Sequence, residues 1–536
     1  MRILRHIIAV TVLAFGAATM WAQSITESVT VEGKYTPDII PADRLALLPA
    51  TVTLKAPESP MAYDRKGLAA NFAPDALNMP ATGWMSTKAY NTSKGYVDLW
   101  LGSWLNSSLS AGYSVIDIPD TRLNVYLQHN STSLWQAWKK DDEEGLAAAD
   151  KRFRYDECIG VDFQKNLTGK GTVSAGMQYH LGYFNYYSAI SNGIEDGHYV
   201  APTQTLNDIS ARVSWSAKPT ERLAYDVKAD VRYFGFREGE RETTVNAGGD
   251  IAYTVNDKSR LNAELLYSGV LNHIGNDVNR LRFTPGYELT IAPYSLLRIG
   301  VDLAMTTGAK THFRAAPDVR FSTRKGIIAF AAKAGGGTNL RTLAWMHAND
   351  YYSNPFAGCV QAAYTPLDID LALQLNPGGK WTVGAEWEWR TTKDETLAAL
   401  YASPIYTGNI HGFSLSVNAG YEFCRQFSFN GRASWQPQKE NTGFMNGFDR
   451  PELTAALSAE SHPTDKLSLK LDFTLRARRQ LGLKSFSSLN LTGDYQISNK
   501  ISVGAAICNL LNRKQEVLPG LPIEGINATA GVQIVF

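Results

Sequence analysis

Ile526-Asn-Ala-Thr-Ala-Gly-Val-Gln-Ile-Val-Phe536 closes the chain, and its reading decides the fold. Ala528, Ala530, Val532, Ile534 and Phe536 fall on one face of an extended segment. Thr529, Gly531 and Gln533 fall on the other, with Val535 the exception. A period of two describes a strand with one apolar face and one small or polar face. In a soluble sheet such a strand would be an awkward free edge. In a barrel it pairs with the first strand and leaves no edge. Val532, Ile534 and Phe536 are therefore expected to close a barrel.

The same alternation runs back through the chain from about Lys94. In 466–476, Leu467, Leu469, Leu471, Phe473 and Leu475 oppose Lys466, Ser468, Lys470, Asp472, Thr474 and Arg476. In 223–233, Leu223, Tyr225, Val227, Ala229, Val231 and Tyr233 oppose Asp226, Lys228, Asp230 and Arg232. Segments 280–291 and 489–497 repeat the pattern. The charged faces carry both signs, as a wet lumen would, so Asp226, Lys228, Asp230, Arg232, Lys470, Asp472 and Arg476 are predicted to line it. The bland alternative is a neutral, ion-paired network that stiffens the wall.

Alternation also describes a soluble sandwich, and the connections separate the two. Short turns fall at 119–120, 168–171, 218–221, 256–259, 293–295 and 323–325. Long loops fall at 132–154, 187–204, 237–243, 338–355, 393–410 and 438–449. Short turns on one side and long loops on the other are the asymmetry of outer-membrane barrels. Counting the runs predicts an all-β, transmembrane antiparallel barrel over 93–536 with about 22 strands; 20 is the main alternative. An even count puts both ends of the barrel on the periplasmic side.

Composition agrees. The 536 residues are 44% hydrophobic and 19% charged with a formal net charge of +1, which argues against a nucleic-acid partner. The apolar run at 7–22 follows Arg2 and Arg5 and ends in small residues, so 1–23 is predicted to be a signal peptide. No later run reaches the roughly 20 apolar residues of a spanning helix. Seven of the 22 prolines fall between Pro37 and Pro80, which predicts that 24–92 is a short, irregular periplasmic extension. Cys158, Cys359, Cys424 and Cys508 show no metal-ligand spacing and read as ordinary strand residues, although a disulfide stays open. No cofactor or metal is expected.

Ala506-Ile-Cys-Asn-Leu-Leu-Asn-Arg513, followed by a Gly/Pro loop and the Phe-ending strand, resembles the C-terminal end of TonB-dependent receptor barrels. The stretch 95–129, ending Asn124-Val-Tyr-Leu-Gln-His129, resembles large outer-membrane barrels of Bacteroidota, as do 335–355 and the opening Ser28-Val-Thr-Val-Glu-Gly33. The resemblance implies an outer-membrane location, contact with lipid and lipopolysaccharide, and insertion by the assembly machinery, with Val532, Ile534 and Phe536 of the terminal strand serving as its assembly signal. It implies transport, with one departure: 24–92 is too short and proline-rich for a full plug domain. The rival reading is an accessory barrel in a larger outer-membrane complex for protein assembly, secretion or nutrient capture, touching partners through 24–92 and the long loops.

An enzyme stands well behind both. His129 and Ser131 lie two apart near the outer end of a strand, similar to the His-x-Ser of outer-membrane phospholipase, but Thr132-Ser133 follow where that family has Asn-Gly and the sequence shows no third, orienting residue. Asp196-Gly-His198 and the acidic run Asp141 to Glu144 read as solvated loops. Trp135, Trp138, Trp345, Trp387 and Trp389 could stack on a ligand, and most read more simply as interface-belt residues.

Overall fold

The computed structural model describes residues 94–134, 152–185, 194–195, 198–199, 203–237, 239–349, 361–377, 380–397, 406–424, 426–437, 451–477, 484–513, 516–518, 521–522 and 524–536. The expected signal peptide and proline-rich extension lie outside the described residues.

Alternation produces strands along the whole described length. They join a single 22-stranded antiparallel sheet whose first strand, Gly95–Gly102, pairs with its last, Asn527–Val535. The register runs from Tyr96 opposite Val535 to Gly102 opposite Thr529. Phe536 continues it: its carbonyl accepts from the amides of Lys94 (2.6 Å) and Gly95 (2.9 Å), and its own amide donates to Gly95 O at 2.9 Å. The sheet therefore closes on itself without an open edge, as a spanning structure in hydrocarbon requires.

Which way each face points follows from the exposed apolar residues. Leu101, Leu127, Ile159, Met177, Val227, Val231, Leu281, Leu371, Leu471 and Ile534 are all more than a third exposed on one parity of their strands. Asp156, Asp162, Asp302, Asp318, Asp368, Asp370 and Glu386 are buried on the other. The apolar parity faces outward and the charged parity inward, the reverse of a soluble domain. The aromatic terminus sits on the outer face, where the Phe536 ring stacks on Tyr113 at 6.4 Å between centroids.

One inner-face contact is fitted to the closing strand. Trp100 donates its indole N–H to Asp98 Oδ1 at 2.9 Å, and its ring lies flat over Gly531 and Gly504. A Cβ on Gly531 would stand 2.3 Å from that ring. The small residue in the terminal strand is there to receive the tryptophan.

Turn lengths follow the expected asymmetry, with shifts: the turn expected at 323–325 falls after Lys325, between His312–Lys325 and Ile328–Arg341, and the longer connection expected at 237–243 is only the short link between Leu223–Phe236 and Arg241–Asn256.

Candidate functional site: the inner wall, its inward hairpin and an outward polar cluster

On the inner wall the predicted charges pair across strands. Arg232 holds Asp208 through both guanidinium contacts, Nε to Oδ1 at 2.8 Å and Nη2 to Oδ2 at 2.7 Å. Asp230 accepts from Asn246 Nδ2 at 2.8 Å, and Lys228 faces Glu264 at 4.0 Å. Lys470 pairs with Asp472 at 3.1 Å. The Arg476 guanidinium lies over the Phe486 ring at 5.7 Å.

The denser part of the network was not singled out from sequence. Lys333 Nζ bridges Asp368 (3.0 Å) and Asp370 (2.7 Å), while Arg390 reaches Asp368 at 3.3 Å and Glu388 at 2.5 Å. The carboxylates of Asp368, Asp370 and Glu388 converge closely enough to suggest a cation site. Two side-chain cations, Lys333 and Arg390, already pair with all three, which makes this an ion-paired wall element. Its members come from three adjacent strands, a neighbourhood that spacing along the chain does not reveal.

At the outer end of the same wall, one hairpin leaves the sheet. Strand Ile328–Arg341 pairs with His312–Lys325 only as far as Ala334 opposite Val319, and its register against Gln361–Leu375 slips between Gly335 and Gly337. The bend needs the Gly335-Gly336-Gly337 run: a Cβ on Gly336 would meet Thr365 O at 2.4 Å, and Gly337 has φ +138°. Beyond it the chain leans over the inner wall. Arg280 Nη1 donates to Thr338 O at 2.5 Å, and Arg314 Nη1 donates to Ala362 O at 2.9 Å.

The hairpin carries the short helix Leu343–Asn349, started by Thr342, whose hydroxyl accepts from Trp345 N at 3.1 Å. The buried Glu242 carboxylate accepts from the amides of Leu343 (2.8 Å) and Ala344 (3.0 Å), which fastens the helix start to the wall at strand Arg241–Asn256. His347 is buried against the rings of Phe184, Phe234 and Phe236, with centroids 5.4 to 5.7 Å away. Leu343 and Met346 are buried with it. Burial pushes the imidazole down to about 3; the positive charges of Arg154, His180 and Arg232 act in the same direction and Asp156 against them. The helix thus lies neutral and apolar on the inner wall of strands Gly171–Asn185 through Arg241–Asn256, narrowing the extracellular mouth.

Trp345 belongs to this helix, under the Arg341 guanidinium at 4.4 Å, and not to the interface belt. Trp387 and Trp389 share the outward parity of their strand, opposite Leu371 and Ile369. Trp135, Trp138 and the acidic run at 141–144 lie outside the described residues, as does most of 196–198. Cys158 and Cys424 are free thiols, Cys508 is buried, and Cys359 lies outside the described residues.

His129 and Ser131 sit on the outward face near the extracellular end of strand Thr121–Leu134. The structure does not join them directly. It joins His129 Nε2 to Ser107 Oγ of the neighbouring strand at 2.9 Å, and His129 Nδ1 to Glu157 Oε1 of the strand on the other side at 2.5 Å. Ser131, buried, lies 2.6 Å from Ser107 Oγ and donates to Leu105 O at 3.1 Å. The orienting carboxylate was not recognisable in the sequence because it lies 28 residues away, next to His129 only in the sheet register.

A closed 22-strand sheet with an apolar outside and an ion-paired inside defines an outer-membrane β-barrel. In fold it is similar to solved receptor and transporter barrels. The ferric enterobactin receptor PfeA of Pseudomonas aeruginosa superposes with a TM-score of 0.64 at 11% identity, over 83% of this chain and 80% of that chain. The siderophore receptor PirA of Acinetobacter baumannii gives 0.65 at 10% identity, over 84% and 81%. The FrpB iron transporter of Neisseria meningitidis gives 0.61 at 10%, over 83% and 81%. No protein-family model matches the chain. No curated protein sequence matches it either.

Proposed function

We propose that the protein is a transport barrel of the TonB-dependent receptor type, whose path runs through the ion-paired lumen and is constricted at the extracellular mouth by the inward hairpin. The observation that carries this reading is the docked helix. A connection between two strands is bent inward at three glycines, capped by a buried carboxylate and packed on three phenylalanines of the opposing wall. A loop with no role at the mouth would run over the surface instead. The fold likeness to barrels named as siderophore receptors and iron transporters supports transport of small solutes such as metal chelates. The paired wall, with both signs neutralised side by side, gives a lumen with little net field, so entry is governed by shape at the mouth more than by charge.

Residues 24–92 are assigned to a periplasmic extension that meets the barrel's partner. Planar-bilayer recording tests the reading. Full-length protein should show small, flickering conductance, and replacing 343–360 by a short Gly-Ser linker should raise it several-fold. Silence from both proteins, together with co-purification of other outer-membrane proteins, would favour an accessory subunit.

A further inference from the structure

We propose that Ser107, His129 and Glu157 form an acyl-transfer triad on the membrane-facing wall, acting on the ester bonds of outer-leaflet lipids. The inference is independent of the transport reading, since it uses the opposite face of the sheet.

Position is the first support. Ser107 pairs with Leu101 and Ser131, His129 with Leu109 and Glu157, and Glu157 with Leu181. One register step toward the periplasm on this same face stand Leu127 and Ile159, both exposed. One step outward stand Tyr155 and Tyr183, stacked at 6.3 Å, with Phe153 5.1 Å from Tyr183. Aromatic rings of this kind mark the headgroup level of a barrel wall. The cluster therefore sits at the boundary between acyl chain and headgroup, where the ester of a phospholipid lies. A hydrogen-bonded His–Glu pair facing lipid is costly and marks a functional site unless something else explains it.

Chemistry is the second support. A carboxylate only accepts, so Glu157 fixes the proton of a neutral His129 on Nδ1 and leaves the Nε2 lone pair toward Ser107. Ser107 must then donate to His129, which leaves the Ser131 proton shared between Ser107 Oγ and Leu105 O. This is the geometry in which a base activates a serine and a third group orients the base. Glu157 acts as a positioning residue. His129 and Glu157 are 27% and 45% exposed on this face, open to a lipid approaching from the side.

The turn that aims Ser107 is held firmly. Leu105, with φ +53°, stands 67% exposed toward lipid. Buried Glu524 ties the turn down, accepting from Asn106 Nδ2 (2.9 Å), Thr132 Oγ1 (2.7 Å) and Asn527 Nδ2 (2.9 Å). Leu101, Leu105, Leu127 and Ile159 would hold the acyl chain.

The steps balance without a cofactor. Ser107 Oγ bonds to the ester carbonyl carbon as its proton passes to His129 Nε2. Collapse of the tetrahedral intermediate breaks the bond to the alcohol oxygen, which takes that proton and leaves. Water then attacks the acyl-serine, giving a proton to His129; the Oγ–acyl bond breaks, Ser107 recovers the proton, and a free fatty acid departs. Ester and water become acid and alcohol.

The test uses full-length protein in phosphatidylethanolamine–phosphatidylglycerol vesicles containing a fluorogenic phosphatidylcholine, with a fluorophosphonate probe in parallel. Unmodified protein should release fatty acid and carry the probe on Ser107 by mass spectrometry. Ser107→Ala and His129→Asn should each lower release by about 10³-fold or more while the barrel keeps its heat-sensitive gel mobility. Ser108→Ala, on the opposite face of the strand that carries Ser107 and bonded to Asn130, should keep the activity. Glu157→Gln should lower kcat with KM little changed, and Glu157→Asp should restore part of the rate, as expected of a group that orients the base. Absence of both release and labelling in the unmodified protein, or release that persists in Ser107→Ala, would overturn the proposal.

Discussion

At the scale of single residues, function and stability rest on contacts that cross strands. Gly531 receives the Trp100 ring at the closing seam. Gly531→Val should cost about 2 kcal/mol through overpacking, seen as a lower unfolding midpoint in detergent, with partial recovery in the Trp100→Ala double variant. Phe536→Ala should impair membrane insertion, since it removes the ring stacked on Tyr113 at the terminus. Normal insertion of that variant would remove the assembly role given to this end. Lys333 bridges two buried carboxylates, so Lys333→Ala should destabilise the barrel by about 3 kcal/mol by removing the cation paired with Asp370 and leaving Asp368 with Arg390 only. A midpoint unchanged from the parent would show that the lumen water solvates them well enough alone.

At the scale of elements, the docked helix is the feature with a pH dependence. His347 is held neutral by burial, its pKa pushed down to about 3, whereas a released, solvated imidazole titrates near 6.5. The released state therefore binds more protons. Docking is at full strength above about pH 6.5 and weakens by up to about 1.4 kcal/mol per unit as pH falls below it. Conductance should rise on acidification to pH 5 on the extracellular side, and His347→Phe should flatten that rise. Glu242→Ala should undock the helix at all pH values.

Strands were legible because period-two alternation needs only neighbours in sequence: 223–233 and 466–476 read correctly within three residues. The helix Leu343–Asn349 was not, because seven residues inside a long loop carry too little periodicity. Gly335-Gly336-Gly337 was the available signal, a strand interior interrupted where the backbone must bend. The outward cluster was half legible. His129 and Ser131 drew notice two apart on one strand, but the partners that matter, Ser107 and Glu157, are neighbours only through register.

For the whole molecule, one sheet serves two media. Its outer parity meets lipid and places a serine, a histidine and a glutamate at headgroup level. Its inner parity forms an ion-paired lumen whose mouth one hairpin narrows. The proposed transport role rests on that hairpin, and single-channel recording with and without 343–360 tests it most directly. Low, flickering conductance in the full-length protein and a steady conductance several-fold higher after replacement of the hairpin tip is the predicted result. Equal conductance in the two proteins, or none in either, would contradict the account.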